Sequence, residues 1–294
     1  MVAKPAIVTA TMGSNLGTAR PFLKWVGGKG RLLAQYQAYF PDPANYQTYF
    51  EPFFGGGAVF FALPHHPSHI NDANHTLMAA YTNIQQDVEK VIAQLAKLEQ
   101  EYKALTPEEQ KGFFYGLRAE FNALKDDDFA KTPLLIFLNR TCFNGLYREN
   151  SKGEFNVPFG RYTNPTILDA ENLRAVAAKL QDTAITALSY EQAIKTAGKG
   201  SFVYFDPPYH PLNETSSFTA YHEGDFTVDD HIRLRDTFVK LASKGALVML
   251  SNSDTPFTRG LYKGYKIHKV QAGRAINSVA TKRGKITELV ITNY

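Results

Sequence analysis

The spacing of apolar positions changes twice along the chain and divides it into three parts. From residue 74 to about residue 140, apolar residues recur every three or four positions, which is typical of helices with one buried face. The clearest run consists of Ile84, Val88, Val91, Leu95, Leu98 and Tyr102. Residues 113–124 and 133–139 are predicted as two further helices. Residues 143–162, polar and aromatic with several glycines, are predicted as a loop and a hairpin.

Short apolar runs on both sides of this helical region predict strands. Residues 46–61 have the pattern of a strand, a glycine loop and a helix, and residues 68–72 that of a short strand ending in an acid. Beyond residue 183 the pattern alternates again, with strands at 201–205, 246–251, 266–270 and 287–292 and a helix at 227–243. Alternating strands and helices favour an α/β fold with a largely parallel sheet, whose ligands bind at the carboxyl ends of the strands.

The predicted organisation is an α/β frame interrupted by a mostly helical insertion. We predict a loose tail over residues 1–20, a first part of the frame over 21–75, the insertion over 76–165 and a second part of the frame over 166–294. The tail is rich in Ala, Thr and Gly and has no apolar stretch of signal-peptide length.

Composition restricts the class of protein without identifying it. Of the 294 residues, 44% are hydrophobic and 20% are charged, which is ordinary for a globular protein with a sizeable core. The longest apolar runs are too short to cross a membrane, and Cys142, the single cysteine, cannot form an internal disulfide. We therefore expect a cytoplasmic protein with no membrane partner. The formal net charge of +4 is only a weak indication of nucleic-acid binding.

The strongest chemical signal is the sequence Asp206-Pro207-Pro208-Tyr209, which directly follows the predicted strand 201–205. Prolines have no amide hydrogen and a stiff backbone, so the carbonyl oxygens of this turn are available to a substrate amine. The Asp206 carboxylate is a second acceptor, and two acceptors around one planar amine orient its lone pair for attack. Tyr209 offers a flat face on which a base can stack. The alternative is a plain turn with Tyr209 in the core.

A second signal is the glycine loop after the first predicted strand, which reads FEPFFGGG over residues 50–57. Its spacing differs from the dinucleotide pattern G-x-G-x-x-G, and it suits a methionine and a ribose better than a pyrophosphate. Asp72, at the end of the next predicted strand, is placed to accept hydrogen bonds from ribose hydroxyls. The alternatives are a tight strand-to-helix turn for the loop and a surface acid or helix cap for Asp72.

The only tryptophan, Trp25, lies in the segment FLKWVGGK over residues 22–29, beside a glycine pair and two lysines. One interpretation is a tryptophan packed in the core. The other is a tryptophan that contacts a ligand, with Lys29 facing the carboxylate of a cofactor.

These segments, taken in order, resemble the Dam-type DNA adenine-N6 methyltransferases, in particular the DpnM-like branch. The shared order is FLKWxGGK, EPFxGxG, a central insertion and DPPY, and the insertion contains LNRTCFNGLYR at 138–148 and NSKGEFNVPFGRY at 150–162. The resemblance extends from about Phe22 to the C terminus. The chain departs from the family pattern at Phe54, Thr141 and Cys142.

The resemblance implies a Rossmann-like, S-adenosylmethionine-dependent methyltransferase domain with an inserted, mostly helical target-recognition domain that carries a β-hairpin. It implies in-line methyl transfer to the 6-amino group of an adenine flipped out of the helix, with no covalent enzyme intermediate and no metal. The implied catalytic residues are Asp206, Pro207, Pro208 and Tyr209. The implied cofactor-binding residues are Trp25, Lys29, Glu51, Phe53, Gly55, Gly57, Asp72 and Asp206.

The resemblance also implies double-stranded DNA as the partner and GATC as the target. Arg148 fits a bidentate contact to guanine, and Leu146 an apolar contact to the thymine methyl group. Phe143 is suited to enter the gap left by the flipped base, and Asn144 to hold the orphan thymine. The other implied DNA contacts are Lys24, Arg140, Pro158, Tyr162, Arg274, Lys282 and Arg283. The last three belong to a basic segment, 274–285, suited to phosphate contact or to a solvated hairpin tip.

Two alternatives stay open from the residues alone. A methyltransferase for another planar amine, such as adenine in RNA or a glutamine amide, shares the Asp206 motif, but the segment 143–148 favours a duplex major groove. A binding module without activity is disfavoured by the complete motif. We predict that His65, His66 and His69 are exposed and bind no metal. We expect a monomer or a weak dimer.

Overall fold

The computed structural model describes residues 18–212, 226–273 and 285–294. At its centre lies a seven-stranded sheet with the strand order β3-β2-β1-β4-β5-β7-β6. The strands are β1 Thr48–Glu51, β2 Ser68–Asn71, β3 Thr183–Thr186, β4 Ser201–Phe205, β5 Leu247–Ser253, β6 Lys266–Gly273 and β7 Lys285–Thr292. The pairings among β1 to β5 are parallel, whereas β7 runs antiparallel to both β5 and β6. This sheet confirms the predicted α/β fold.

The helices follow the strands and fill the predicted insertion. They are α1 Leu33–Tyr36, α2 Ala58–Ala62, α3 His75–Ala104, α4 Pro107–Ala123, α5 Lys131–Thr141, α6 Ala170–Lys179, α7 Tyr190–Ala193, α8 Val228–Ser243 and α9 Pro256–Leu261. Short 3-10 turns occur at Lys29–Arg31, Gln37–Tyr39, Pro43–Asn45 and Phe143–Gly145. In the described part of the chain, no helix is long and apolar enough to cross a membrane.

Local capping explains where α4 and α8 begin. The Thr106 hydroxyl accepts a bond from the Glu109 amide, the Glu109 side chain bonds back to Thr106, and Pro107 occupies the first turn. Thr227 and Asp230 form the same reciprocal cap on α8. Helix α4 begins six residues before the predicted start at 113, because its first five residues, PEEQK, are polar and mostly exposed and show no apolar periodicity.

Strand β4 is the central strand that carries the Asp206 turn, and it is buried on both faces. Phe202 and Tyr204 pack into a large hydrophobic cluster on one face of the sheet, and Val203 and Phe205 into a second cluster on the other face. A strand covered on both sides reads as a continuous apolar run. This burial explains why the bounds predicted for the strand, 201–205, agree with the structure.

The helices of the predicted insertion share the larger hydrophobic cluster with the sheet. Ile84 on α3, Phe114 on α4 and Phe137 on α5 are all buried in the same cluster as Tyr204 of β4. One continuous core therefore joins the helices to the sheet, and the division of the chain into a frame and a separate recognition domain stays a prediction.

The last strands are longer than the apolar pattern predicts. Strand β6 extends to Gly273, three residues beyond its predicted end at 270. Strand β7 begins at Lys285, two residues before its predicted start at 287. Gly273 and Lys285 are register partners. Antiparallel pairing extends both strands past their apolar residues, because each backbone supplies the hydrogen-bond partners of the other.

Helix α8 carries a buried histidine. His231 is 4% exposed, and its ring lies 4.8 Å from that of Phe226, 5.6 Å from that of His210 and 6.1 Å from that of Phe257. Burial, with a smaller contribution from His210, lowers the pKa of His231 to about 4. Between pH 6.5 and pH 4 the unfolded chain therefore binds a proton that the folded protein excludes.

We expect this histidine to destabilise the fold as the solution is acidified. Above pH 6.5 the histidine is neutral in both the folded and the unfolded state, and the free energy of unfolding has its full value. As the pH falls from 6.5 towards 4, the free energy of unfolding decreases by up to about 3 kcal/mol. Urea unfolding at pH 7.5 and pH 5 measures this loss. His231→Phe keeps the aromatic packing but removes the titrating group, so it should unfold with a smaller pH dependence; equal pH dependence in both proteins would contradict the assignment.

Candidate active site and recognition surface

The Asp206 turn lies at the carboxyl end of β4, where it forms an ion pair and a hydrogen bond. The Asp206 Oδ2 atom is 2.7 Å from Lys29 Nζ, and the Lys29 side chain is only 8% exposed. The Ser251 hydroxyl, on the neighbouring strand β5, donates to Asp206 Oδ1 at 2.7 Å. Pro207 is buried and Pro208 is exposed. The carboxylate is thus held in one position by partners from two other segments.

The ring of Tyr209 lies beside the same lysine. Lys29 Nζ is 4.9 Å from the ring centroid, and the Tyr209 hydroxyl donates to Glu288 Oε2 on β7 at 2.9 Å. Burial raises the pKa of both Tyr209 and Glu288. These contacts hold the tyrosine ring at the end of β4, next to the Asp206 carboxylate.

The glycine loop between β1 and α2 is built around two residues with positive φ. Gly55 has φ +50°, and a Cβ atom there would lie 2.9 Å from Trp25 Cδ1. Gly57 has φ +69°, and its Cβ would lie 2.4 Å from Phe54 Cζ. Both positions therefore require glycine, for backbone conformation and for space. The Phe54 ring occupies the space over Gly57.

Asp72 follows β2 and ties the glycine loop to the start of α3. Its Oδ2 atom accepts from the Gly55 amide at 2.9 Å, and its Oδ1 atom accepts from the Asn74 amide at 3.0 Å. Burial raises the pKa of Asp72. Each carboxylate oxygen can accept a second bond, so the side chain can also hold two hydroxyls of a ligand.

The other predicted cofactor residues of this loop differ in their surroundings. Phe53 is half-buried, with its ring 5.2 Å from Tyr190 and 5.8 Å from Phe226. Glu51 is 2% exposed and accepts a hydrogen bond from the Tyr49 hydroxyl at 2.8 Å. Burial raises the pKa of Glu51 well above its usual range. Phe53 thus offers an aromatic face, and Glu51 a buried acid at the end of β1.

The loop and hairpin predicted over 143–162 fold back on themselves. Two isolated antiparallel bridges, Cys142 to Phe159 and Glu149 to Phe155, hold the segment. Asn144 has φ +57°, a conformation that asparagine adopts more readily than most residues. Phe143, beside it, is 52% exposed, a high value for a phenylalanine.

The side chains predicted to contact DNA are mostly exposed along this segment. Arg148 donates a hydrogen bond from Nε to Asn156 Oδ1 at 2.7 Å. This bond does not involve the two terminal nitrogens of the guanidinium group. Lys24 lies across Gly145, with Nζ 5.2 Å from the centroid of the Tyr162 ring. Lys24, Phe143, Asn144, Arg148 and Pro158 are exposed, and Leu146 and Tyr162 are half-buried.

Four of the predicted DNA-binding residues either bond to the protein itself or lie outside the described part of the chain. Arg140 is half-buried, and its guanidinium donates to the Phe22 carbonyl at 2.8 Å, so it has a structural partner in the protein. Arg274, Lys282 and Arg283 lie outside the described residues. A DNA contact by any of the four stays a prediction.

The chain matches the family model for D12 class N6 adenine-specific DNA methyltransferases over residues 25–276. It is 46% identical over 286 residues to the type II methyltransferase M.MjaIII of Methanocaldococcus jannaschii, covering 94% of this chain and 99% of that protein. It is 43% identical to the type II methyltransferase M1.LlaDCHI of Lactococcus lactis subsp. cremoris, covering 94% and 95%. It is 36% identical to the DNA adenine methylase of Escherichia coli, covering 92% and 94%.

The chain belongs to the D12 class of N6-adenine DNA methyltransferases. This membership confirms the family resemblance and the prediction of an adenine-specific DNA methyltransferase. Membership also implies DNA as the substrate and S-adenosylmethionine as the methyl donor.

The residues of this D12-class chain fit that donor in two respects. The glycine loop follows the carboxyl end of β1, where α/β sheets bind their ligands, and its shape depends on the positive φ angles of Gly55 and Gly57. Asp72, at the carboxyl end of β2, presents a carboxylate held in place by two amide groups. Within the described ranges, no group of three or more His, Cys, Asp or Glu side chains is arranged to hold a metal ion. Of the three histidines predicted to be exposed, only His65 is; His66 and His69 are half-buried, because the rings of Tyr46 and Phe50 pack against them.

Several residues that shape the site were missed by sequence reasoning. Ser251 and Glu288 hold Asp206 and Tyr209 from other strands, and Asn71 joins two loops by accepting from the Leu188 amide and donating to the Pro52 carbonyl. A detectable signal existed only for Glu288, since a charged residue next to the apolar run Leu-Val-Ile of β7 is unusual. Serine and asparagine at strand ends are too common to stand out.

Proposed function

We propose that this enzyme transfers the methyl group of S-adenosylmethionine to the 6-amino group of an adenine extruded from double-stranded GATC. The observation that supports this most directly is the position of the Asp206 turn. A held carboxylate, a proline-rich turn and an aromatic ring meet at the carboxyl end of β4, as an orienting site for a planar amine requires.

We propose that the catalytic work of the protein is orientation. When bound, S-adenosylmethionine supplies an electrophilic methyl group on a sulfonium. The two N–H groups of the amine donate hydrogen bonds to the Asp206 carboxylate and the Pro207 carbonyl. This arrangement directs the lone pair of the amine nitrogen away from the plane of the adenine ring. Tyr209, held by Glu288, stacks on the adenine. Trp25, Lys29, Glu51, Phe53, Gly55, Gly57 and Asp72 form the cofactor side of the site in this proposal.

Base flipping is part of the proposal because the 6-amino group is paired and stacked inside a duplex. Phe143, exposed at the fold-back and next to the left-handed Asn144, is the side chain best suited to enter the vacated gap. Lys24, Leu146, Arg148 and Pro158 are the proposed base readers, and Tyr162 supports Lys24. In this proposal residues 76–165 are the target-recognition insertion.

Methyl transfer from labelled S-adenosylmethionine tests the proposal. The substrates are a duplex with GATC, the same duplex with GTTC, one already methylated at GATC, a single-stranded RNA and a glutamine peptide. Label on unmodified GATC alone supports the full proposal. Label on every adenine-containing duplex would support methyl transfer to adenine in DNA but exclude GATC as the specific target. Label only on the RNA or the peptide would instead favour a methyltransferase that acts on another planar amine.

Replacing Arg148 with alanine should weaken the distinction between GATC and a duplex altered at one guanine. A bidentate arginine–guanine pair contributes about 1–3 kcal/mol of discrimination, and Arg148 keeps its terminal nitrogens for such a pair. Binding competition between the two duplexes measures the change. Lys152→Ala, which removes an exposed positive charge at the hairpin turn, is the matched control and should affect both duplexes alike. Unchanged preference in Arg148→Ala would remove this residue from the readers.

A further inference from the structure

Trp25 lies between the glycine loop and the fold-back over residues 143–162, here called the hairpin, and it contacts both. On one side the indole packs against Gly55 and Gly56, where added Cβ atoms would lie 2.9 Å from Trp25 Cδ1 and 3.2 Å from Trp25 Cβ. On the other side the indole stacks on the ring of Tyr147, with centroids 4.8 Å apart and planes inclined by 23°. One aromatic pair thus bridges two parts of the chain that would bind different ligands.

A second, polar connection runs beside this stack. Asn139, at the end of α5, is 1% exposed. Its Oδ1 atom accepts from the Lys24 amide at 2.8 Å, and its Nδ2 atom donates to the Lys24 carbonyl at 2.9 Å and to the Gly145 carbonyl at 3.1 Å. All these bonds are to backbone, so Asn139 fixes the segment before Trp25 to the same hairpin that carries Tyr147.

Gly55 is held from three directions, which makes its position sensitive to Trp25. Its amide donates to Asp72, the Tyr81 hydroxyl donates to its carbonyl at 3.4 Å, and the indole covers its α carbon. Displacing the indole removes one of these restraints. The indole also contacts Tyr147, so it links the glycine loop to the segment that carries Tyr147.

We propose that Tyr147 is a positioning residue that couples binding of the cofactor to binding of DNA, by holding Trp25 against the glycine loop. The proposal rests on the function proposed above, and it adds the pair of residues, Tyr147 and Trp25, through which the two binding events are linked. DNA that orders the hairpin reduces the conformational freedom that the loop must lose on binding cofactor, so each ligand tightens the binding of the other.

The experiment measures the affinity of S-adenosylhomocysteine, an unreactive product, with and without an unmodified GATC duplex. Wild type and Tyr147→Phe, which keeps the ring, should both bind it at least about fivefold more tightly when the duplex is present. Tyr147→Leu keeps apolar volume but removes the stack, so its binding should be weaker and the effect of the duplex should shrink. Tyr115→Ala, on α4 beneath Arg118, is the control and should keep the wild-type coupling.

Three outcomes decide between the possibilities. Reduced coupling in Tyr147→Leu with an unchanged unfolding midpoint supports the proposal. Full coupling in Tyr147→Leu overturns it. It is also overturned if the wild-type enzyme binds both ligands and methylates DNA, but binds S-adenosylhomocysteine with the same affinity in the presence and absence of the duplex. Neither of these contrary outcomes affects the proposed function, which would fail separately if wild type transferred no methyl group to DNA.

Discussion

Replacing Asp206 with alanine is expected to slow methyl transfer by at least about 10³-fold. The substitution removes the charged acceptor that lies at the end of β4, beside Tyr209. It is also expected to destabilise the fold, because the Lys29 ammonium, 2.7 Å away on a side chain only 8% exposed, loses its counter-ion. Breaking a buried pair in this way costs about 3–5 kcal/mol in the free energy of unfolding. Initial rates and urea unfolding measure the two effects.

Two further variants separate the loss of chemistry from the loss of stability. Asp206→Asn keeps the shape and one neutral acceptor oxygen, so it should retain more activity and stability than alanine while staying well below wild type. Ser251→Ala keeps the carboxylate but removes the hydrogen bond to Asp206 Oδ1 and the contact of the Ser251 hydroxyl with the Tyr204 hydroxyl, so it should have a smaller effect on the rate. A wild-type rate in folded Asp206→Ala would exclude the carboxylate from the proposed mechanism.

Replacing Asp72 with alanine is expected to weaken binding of S-adenosylmethionine at least about 10²-fold. The carboxylate holds the Gly55 amide, and in our proposal it also accepts from the ribose hydroxyls. A hydrogen bond to a charged group contributes about 1.5–3 kcal/mol, so the loss of two such bonds to the ligand accounts for a change of this size. Titration calorimetry with the cofactor measures the dissociation constant directly.

The controls for Asp72 address charge and helix capping. Asp127→Ala removes an exposed acid from the loop before α5 and should leave cofactor binding unchanged. Asn74→Ala removes the side chain that caps α3 at the Leu77 amide, and it should lower stability by about 1 kcal/mol with little effect on the cofactor. If Asp72→Ala bound the cofactor as wild type does, the residue would have only the structural role seen in its two backbone bonds.

The elements predicted most accurately are those whose signals are local. Strand β4 has the predicted bounds because it is buried on both faces and reads as one apolar run. Helix α8 begins within one residue of the prediction, since Thr227 and Asp230 form a capping box in adjacent sequence. The family resemblance rested on motifs of the same kind, in which the informative residues are consecutive.

The arrangement around Asp206 could not be predicted in this way. Lys29 was expected to face a cofactor carboxylate, and the structure pairs its ammonium with Asp206. A cofactor contact by Lys29 stays a prediction, but the ion pair depends on a contact between residues 177 positions apart. Periodicity and motif spacing contain no information about which distant charges meet.

The sequence by itself determined the chemistry that the chain offers and the elements that carry it: an amine-orienting turn after a buried strand, a glycine loop after another, and a helical region between them. The tertiary structure alone decided which side chains hold those groups. Strand order brings Ser251 and Glu288 to Asp206 and Tyr209, and the fold of the hairpin brings Tyr147 to Trp25. These contacts join residues far apart in the chain, and their geometry exists only once the sheet and helices have packed.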